Sequence, residues 1–322
     1  MTDQRVSLYD APVVAHVVRS GFVESVHHGS VVVLGADGSV LLAIGDVAGP
    51  MFPRSSSKPI QALAMLRAGL DLDGELLALA SGSHSGESFH LEGVRRILAA
   101  AGLQPVDLAN TPDLPLDGDE AQAWRCGGRP AEALAQNCSG KHAAMLLTCR
   151  TAGWSTSGYL APDHPLQVAI AATTAELTGV PVAAVGVDGC GAPVYATTAR
   201  GLAAAFATLA TAGEGSAEHR LAQAFTRFPE WVGGTRRDVT ALMRAVPGLL
   251  AKDGAEAVWA VGLPDGGAAV VKIADGADRA RGPVLAALLT RLGVDPAALS
   301  ALAAPPILGG GRPVGGYRVV GL

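Results

Sequence analysis

The chain has 322 residues, of which 49% are hydrophobic and 16% are charged, so a large buried core is expected and bulk disorder is not. The net charge of −5 gives no electrostatic basis for binding nucleic acid or an anionic membrane. No apolar stretch is long enough to span a membrane, and the N-terminus has no apolar signal core. Four cysteines are too few for a disulfide framework in a chain of this length. These three observations together predict a cytoplasmic protein.

Strand patterns at the N-terminal end are followed by helical patterns after Pro53. The predicted strands cover residues 13–19, 30–34 and 40–44, and a turn signal joins the last two into a hairpin. From Pro53 to about residue 245 the apolar residues recur mostly at helical spacing. The clearest predicted helices are near residues 76–80, 90–101 and 165–178.

Strand character returns near the C-terminal end. Residues 257–261 and 268–273 flank a Pro-Asp-Gly-Gly turn signal, a helix is predicted at about 283–292, and residues 316–320 form the last predicted strand. This order predicts an α/β (α+β) fold in a single domain over residues 1–322. Residues of about 10–50 and 255–322 would share one sheet, and residues of about 55–245 would form the mainly helical part.

Lysine is rare in this chain, with four residues against twenty arginines. The four are Lys58, Lys141, Lys252 and Lys272. Lysine can lose its proton when buried and then act as a base or a ligand, whereas the guanidinium of arginine stays charged. A lysine retained in an arginine-rich chain is therefore a candidate for such a role, although chance explains any single one equally well.

The first stretch that could carry chemistry is RSSSKPIQAL, residues 54–63, in which Ser55 and Lys58 lie three residues apart at a predicted helix start. This spacing places them on one face, so a neutral lysine amine could take the proton of the serine hydroxyl, as in S-x-x-K acyl-transfer enzymes. Pro59 is compatible with the first helical turn. Because serine is also a common N-cap, the pattern alone favours capping.

The second stretch is SGSHSGE, residues 81–87, which ends an apolar segment in a loop of small residues. Ser83, His84 and Glu87 bring a hydroxyl, an imidazole and a carboxylate together, and the small residues permit close approach to a ligand. A helix end followed by the cap of the next helix explains the same residues.

The third stretch is QNCSGKH, residues 136–142, in which Cys138, Lys141 and His142 could point in one direction from a helix start. A phosphate loop is rejected because Ala135 stands where the first glycine should be and His142 replaces the serine or threonine. Cysteine and histidine are metal ligands, but a free cysteine is usually a small buried hydrophobe.

The fourth stretch is VDGCGAP, residues 187–193, a tight turn that holds Asp188 and the thiol of Cys190. The chain contains no C-x-x-C pair, so spacing alone gives no evidence of a metal site.

Together with DHPLQ at residues 163–167, these stretches occur in an order that resembles the L-asparaginase II family of the rhizobial type. The resemblance covers residues of about 10–320. It implies a fold similar to that of serine β-lactamases and penicillin-binding proteins, in which N- and C-terminal strands form one antiparallel sheet beside a helical region. That arrangement agrees with the order of patterns along the chain.

The resemblance also implies roles for individual residues. The implied catalytic residues form two serine–lysine pairs, Ser55 with Lys58 and Ser83 with Lys252. The implied substrate-binding residues are Arg54, His84, Asn137, His142 and Asp188. The implied zinc ligands are Cys138, Lys141 and Cys190. Because Ser56 and Ser57 also carry hydroxyls, three serines compete as the nucleophile, and the register of the motif favours Ser55.

The implied reaction is hydrolysis of L-asparagine to L-aspartate and ammonia through a serine acyl-enzyme, in a homodimer with zinc beside the active site. Two neighbouring lysines disfavour each other's charged form, so activity should rise toward alkaline pH. Three alternatives stay open: another serine acyl hydrolase on the same fold (a glutaminase, an esterase or a β-lactamase-like enzyme), a zinc hydrolase supported by the serines, and a non-catalytic amino-acid-binding protein.

Overall fold

The structure is a computed structural model that describes residues 10–322. The polar N-terminal segment, residues 1–9, for which no signal core is predicted, lies outside the described residues. The strands are β1 (Val13–Arg19), β2 (Phe22–Leu34), β3 (Val40–Ile44), β4 (Pro50–Met51), β5 (Val185–Val187), β6 (Pro193–Tyr195), β7 (Thr197–Thr198), β8 (Leu250–Gly254), β9 (Val258–Gly262), β10 (Ala268–Ile273), β11 (Ile307–Gly309) and β12 (Arg312–Val319).

The helices lie mostly between β4 and β8. They are α1 (Lys58–Arg67), α2 (Gly74–Ala80), α3 (Ser88–Ala100), α4 (Gly118–Cys126), α5 (Ser139–Thr151), α6 (Pro165–Thr178), α7 (Ala199–Ala210), α8 (Ala217–Arg227), α9 (Pro229–Val232), α10 (Asp238–Ala245), α11 (Arg281–Arg291) and α12 (Ser300–Ala303). Short 3₁₀ helices cover Arg54–Ser57, Pro105–Asp107 and Asp278–Ala280. Within residues 10–322, none of the helices has both the length and the apolar character needed to cross a membrane.

The main sheet is built from both ends of the chain. Its strands follow the order β11-β12-β1-β2-β10-β9-β8, with β3 paired to β2, and these neighbours are antiparallel. The long strand β2 pairs with β1 through its first part and with β10 through residues 29–34. It therefore joins the N-terminal hairpin to the C-terminal strands, which confirms the predicted antiparallel sheet and mixed fold class.

The sheet differs from the prediction at four strands. β2 begins at Phe22 instead of residue 30, and β8 precedes the predicted start of the C-terminal part of the sheet. β11 was not predicted, and β12 begins at Arg312 instead of residue 316. β8 reads Leu-Ala-Lys-Asp-Gly, which has no β-branched residue and little local strand propensity. It forms because all five residues pair with β9, from Leu250 opposite Gly262 to Gly254 opposite Val258.

Helices cover the C-terminal half of the sheet. Every residue of β8, β9 and β10 is buried, which requires cover on both faces, and α7 and α11 pack against β9 and β10. α6 begins and ends where predicted: His164 caps it by accepting from the Leu166 N–H, Pro165 fills the first position, and Gly179 closes it with φ 66°.

The fold places the serine stretch against the sheet. The 3₁₀ turn Arg54–Ser57 packs against β8 and β9. Gly254 permits this approach, because a Cβ at that position would lie 2.8 Å from the Pro53 carbonyl oxygen and 3.0 Å from Ser56 Oγ. The turn that contains Ser55 and the strand that contains Lys252 are thereby neighbours.

Candidate active site

The three consecutive serines have different hydrogen-bonding roles. Ser56 Oγ donates to the Lys252 carbonyl oxygen at 3.0 Å, and Ser57 Oγ donates to the Arg54 carbonyl oxygen at 2.8 Å. Among residues 10–322, Ser55 Oγ has no such partner, and Ser55 lines a cleft. Of the three hydroxyls, the one at Ser55 is therefore free to meet a substrate.

Arg54 lies directly before this serine in a left-handed backbone conformation, with φ 50°. Such a conformation costs a non-glycine residue about 1–3 kcal/mol and is typical of functional turns. Arg54 Nε donates to Asp188 Oδ1 at 2.8 Å, and Arg54 Nη1 lies 3.6 Å from Glu256 Oε1. Burial alone would raise the pKa of Asp188, but the hydrogen bond from Arg54 holds that pKa below its ordinary value. Arg54 and Asp188, which were both predicted to bind substrate, therefore bond to each other, and neither of them lines the cleft.

Lys58 is buried at the start of α1 and bonds to the SGSHSGE loop. Its Nζ donates to the Gly82 carbonyl oxygen at 2.6 Å and to Ser83 Oγ at 2.9 Å. The predicted pairs were Ser55 with Lys58 and Ser83 with Lys252, whereas the observed contact joins Lys58 to Ser83. Because Ser83 Oγ accepts from Lys58, the Ser83 hydroxyl can donate its own proton into the cleft that it lines.

Lys252 is buried on β8 and contacts Asp253 instead of a serine. Its Nζ donates to the carbonyl oxygen of Asp253 at 2.6 Å and to Asp253 Oδ1 at 2.7 Å. Burial lowers the pKa of Lys252 to about 8. The positive charge of Lys58 also lowers this pKa, whereas the negative charge of Asp253 raises it. Burial would raise the pKa of Asp253, but Lys252, Arg237 and Arg281 hold it far below its ordinary value. The amine of Lys252 can therefore change its charge in the weakly alkaline range.

The cleft at Ser55 has a volume of about 210 Å³, which suits a small molecule. It is lined by Ser55, Ser83, Leu116, Asn137, Arg237, Asp253, Gly254, Ala255, Asp278 and Arg281. Its four charged residues were not predicted from the sequence. Asp253 could have been found as the neighbour of Lys252, but the two arginines belong to no recognisable motif and reach the cleft only through the fold.

His84 is fully buried and is not part of the cleft wall. Its Nδ1 accepts from the Gly86 N–H at 3.2 Å, so Nε2 carries the proton and donates to Ser139 Oγ at 2.8 Å. Burial, reinforced by His90 and Lys58, keeps the pKa of His84 well below its ordinary value, so the ring is neutral. The backbone N–H of His84 donates to the Asn137 carbonyl oxygen at 3.0 Å. His84 therefore fixes the loop to α5, whereas Asn137 itself lines the cleft.

Cys138, Lys141 and Cys190 come together in a buried group. Lys141 Nζ lies 3.4 Å from Cys190 Sγ, and the two cysteines belong to one small apolar cluster. A hydrogen bond from Cys190 lowers the pKa of Cys138 well below that of an ordinary thiol, and the same bond, with burial, raises the pKa of Cys190. Burial alone would lower the pKa of Lys141, but the two thiol groups raise it above its ordinary value. These shifts favour negative charge on the Cys138 sulfur beside a positively charged Lys141.

This donor set suits zinc, which binds thiolate sulfur and nitrogen. Within the described part of the chain there is no group of three or more His, Cys, Asp and Glu side chains that could hold a metal ion. A zinc site here would therefore need Lys141 as its third protein ligand. Since Lys141 and one thiol keep their protons in the metal-free group, zinc binding would release both.

His142 is fully buried in α5 next to this group. Its Nδ1 lies 2.9 Å from the Tyr159 hydroxyl, and its Nε2 has no hydrogen-bond partner among residues 10–322. Burial, with Lys141 and Lys58, lowers the pKa of His142 well below its ordinary value. The predicted substrate-binding role of His142 could act only through that unpaired Nε2, because His142 does not line the cleft.

Comparison with known proteins identifies a family. The model of the L-asparaginase II family matches residues 15–319. No curated protein shows significant sequence similarity to this chain.

Solved structures that this chain resembles include three of low sequence identity. A β-lactamase from Mycobacterium bovis has 18% identity and a TM-score of 0.44, with 92% of this chain and 98% of that chain covered. EstCE1, a hydrolase with promiscuous acyltransferase activity, has 16% identity and a TM-score of 0.39, with 76% and 88% covered. Mglu, in its tris and glutamate form, has 18% identity and a TM-score of 0.37, with 90% and 66% covered.

Proposed function

Because the chain belongs to the L-asparaginase II family, we propose that this hydrolase converts L-asparagine to L-aspartate and ammonia through a serine acyl-enzyme. The observation that carries the proposal is the difference between the three serines. Ser56 and Ser57 use their hydroxyls to bond backbone carbonyl groups, whereas Ser55 presents an uncommitted hydroxyl to the cleft. An uncommitted hydroxyl three positions before a buried lysine fits nucleophilic acyl transfer, in which the lysine acts as the base.

The hydrogen bonds of Lys58 fit the role of general base. A neutral lysine amine has two N–H donors and one lone pair. The two observed bonds, to the Gly82 carbonyl oxygen and to Ser83 Oγ, use both donors. The lone pair is then left to take the proton of Ser55 as its Oγ attacks the side-chain amide carbon.

Ser83 completes the proton path in this proposal. The proton taken by Lys58 passes through the Lys58–Ser83 hydrogen bond to the departing nitrogen, so that ammonia leaves. Water then attacks the acyl group of Ser55 with the same groups working in reverse, and L-aspartate is released. Lys252 contributes through charge: burial lowers its pKa to about 8, and in its neutral form it removes one positive charge from the neighbourhood of Lys58.

We propose Cys138, Lys141 and Cys190 as the residues that would hold zinc. When bound, zinc would supply positive charge that orients a polar substrate group, and the nucleophile would remain Ser55. Lys58 lies close enough to Cys138 to contribute to the low pKa of that thiol, so the metal group and the catalytic lysine share one electrostatic environment.

Ammonia release on addition of L-asparagine tests the proposal, with Ser55→Ala and Ser57→Ala compared to the wild type. Ser55→Ala should lose at least about 10³-fold in kcat, since loss of a nucleophile removes the acyl-enzyme route. Ser57→Ala removes a hydroxyl that donates to the Arg54 carbonyl oxygen and accepts from Gln61 Nε2; because Ser57 does not line the cleft, the variant should retain most of the activity. Circular dichroism checks that both variants are folded.

Two results would count against this function. Near-normal ammonia release by Ser55→Ala would exclude Ser55 as the nucleophile. A wild-type protein that releases no ammonia from L-asparagine, but hydrolyses L-glutamine, an ester or a penicillin, would instead be a different serine acyl hydrolase.

A further inference from the structure

Arg237 lines the cleft at Ser55, and the protein uses only part of its guanidinium. Its Nη2 donates to Asp253 Oδ2 at 2.6 Å. Its Nη1 is buried and has no hydrogen-bond partner among residues 10–322. A guanidinium is always charged and offers five N–H donors, so a buried nitrogen without an acceptor is costly until a ligand supplies one.

The other cations around the cleft already have acceptors. Arg281 bonds to the Gly254 carbonyl oxygen at 3.1 Å and to Asp278 Oδ1 at 3.0 Å. Lys252 bonds twice to Asp253, and Arg54 bonds to Asp188. Within the described residues, Arg237 is thus the cation of the cleft wall that has a buried N–H group without an acceptor.

We propose that Arg237 forms a carboxylate subsite, in which Nη1 binds the α-carboxylate of the substrate amino acid. The inference rests on the proposed function, which places the scissile amide at Ser55. It adds a residue that would favour amides with an α-carboxylate over amides without one. The planar fork of arginine matches a carboxylate better than a lysine ammonium does.

Asp253 holds this subsite in place. One carboxylate oxygen, Oδ2, accepts from Arg237, while the other, Oδ1, accepts from the buried Lys252. Because Asp253 is itself buried and paired on both sides, it fixes the guanidinium before substrate arrives. The same carboxylate therefore connects the substrate-binding end of the cleft to the titrating lysine.

The experiment compares L-asparagine with 3-aminopropanamide, which is asparagine without its α-carboxylate. Steady-state kinetics would be measured for the wild type, Arg237→Gln, Arg237→Lys and Arg244→Gln at one pH on the alkaline plateau. Arg244 is the matched control, because it is an exposed arginine that bonds to Glu230 at 3.1 Å away from the cleft.

Arg237→Gln should lower kcat/KM for L-asparagine by about 10- to 100-fold, chiefly through KM, the range expected for a hydrogen bond to a charged group. It should leave kcat/KM for 3-aminopropanamide within about threefold of wild type. The kcat/KM of Arg237→Lys for L-asparagine should lie between the values of the wild type and Arg237→Gln. Arg244→Gln should have the kcat/KM of the wild type for both amides.

Calorimetry gives a second readout that needs no turnover. L-Aspartate retains the α-carboxylate and β-alanine lacks it, so Arg237→Gln should weaken binding of L-aspartate alone. Unchanged kinetics on L-asparagine, an equal loss on both amides, or equal binding of L-aspartate to wild type and variant would overturn the subsite. A wild type that releases no ammonia from L-asparagine would instead refute the proposed function, whatever Arg237 does.

Discussion

Lys58 Nζ lies 2.9 Å from Ser83 Oγ, although 25 residues of chain separate the two. The lysine of the S-x-x-K stretch is therefore held by the loop that follows α2, with the Gly82 carbonyl oxygen as its second acceptor. This contact immobilises a buried amine three positions along the chain from Ser55, whose own hydroxyl has no hydrogen-bond partner among residues 10–322. In the proposed mechanism, it also makes Ser83 part of the proton path that begins at Ser55.

Removal of the Ser83 hydroxyl should slow the chemical step more than it weakens binding. We expect Ser83→Ala to lower kcat by about 10²- to 10⁴-fold with little change in KM, because a positioned proton donor acts mainly in the transition state. Ser85→Ala is the matched control in the same loop, since Ser85 Oγ is buried without a hydrogen-bond partner among residues 10–322. A Ser83→Ala enzyme with wild-type kcat would exclude Ser83 from the proton path.

The pH dependence of kcat should report the titration of Lys252. Burial lowers the pKa of Lys252 to about 8, and the neutral amine is populated above that pKa. Activity should therefore rise as pH increases through about 8 and level off above it, in agreement with the alkaline preference predicted from the sequence. A pH–rate profile that is flat between about pH 7 and 9 would contradict this.

Two variants separate Lys252 from other titrating groups. Asp253 is the group that raises the pKa of Lys252, so Asp253→Asn should move the alkaline rise to lower pH. Lys252→Arg keeps a positive charge that cannot be removed, so it should stay poorly active at every pH. A rise at the same pH in Asp253→Asn and in the wild type would assign the titration to another residue.

The sequence predicts the local features of this protein better than its long-range contacts. The S-x-x-K spacing favours Ser55, which the structure places in the cleft wall, and the cysteine and lysine stretches predict a group that the fold does bring together. The contact between Lys58 and Ser83 was not predictable from spacing, because the two lie 25 positions apart and only the fold brings the loop after α2 to the start of α1. β8 was missed for a similar reason: its residues have little strand propensity, and pairing with β9 imposes the conformation.

The zinc prediction can be checked by metal content alone. Cys138→Ser removes one of two sulfur donors and should lower the zinc retained after dialysis, measured by atomic emission, by at least about tenfold. Cys126→Ser is the control, because Cys126 is an exposed free thiol outside the buried group. Since binding must displace protons from Lys141 and a thiol, zinc uptake by the wild type should also increase with pH. Equal zinc content in both variants would place any bound zinc elsewhere.

The close approach of β8 to the serine turn predicts a specific cost at Gly254. An added Cβ would lie 2.8 Å from the Pro53 carbonyl oxygen and 3.0 Å from Ser56 Oγ, and neither the backbone atom nor the bonded hydroxyl can move freely. Gly254→Ala should therefore reduce the free energy of unfolding by about 1–3 kcal/mol, as overpacking does.

Denaturant unfolding monitored by circular dichroism measures this change. Gly118→Ala is the matched control at the start of α4, where an added Cβ has no atom within 4 Å and the free energy should change by less than about 1 kcal/mol. Because the displaced turn contains Ser55, Gly254→Ala should also lower kcat in the fraction that remains folded. A variant with both wild-type stability and wild-type kcat would show that β8 and the serine turn do not meet as closely as the structure has them.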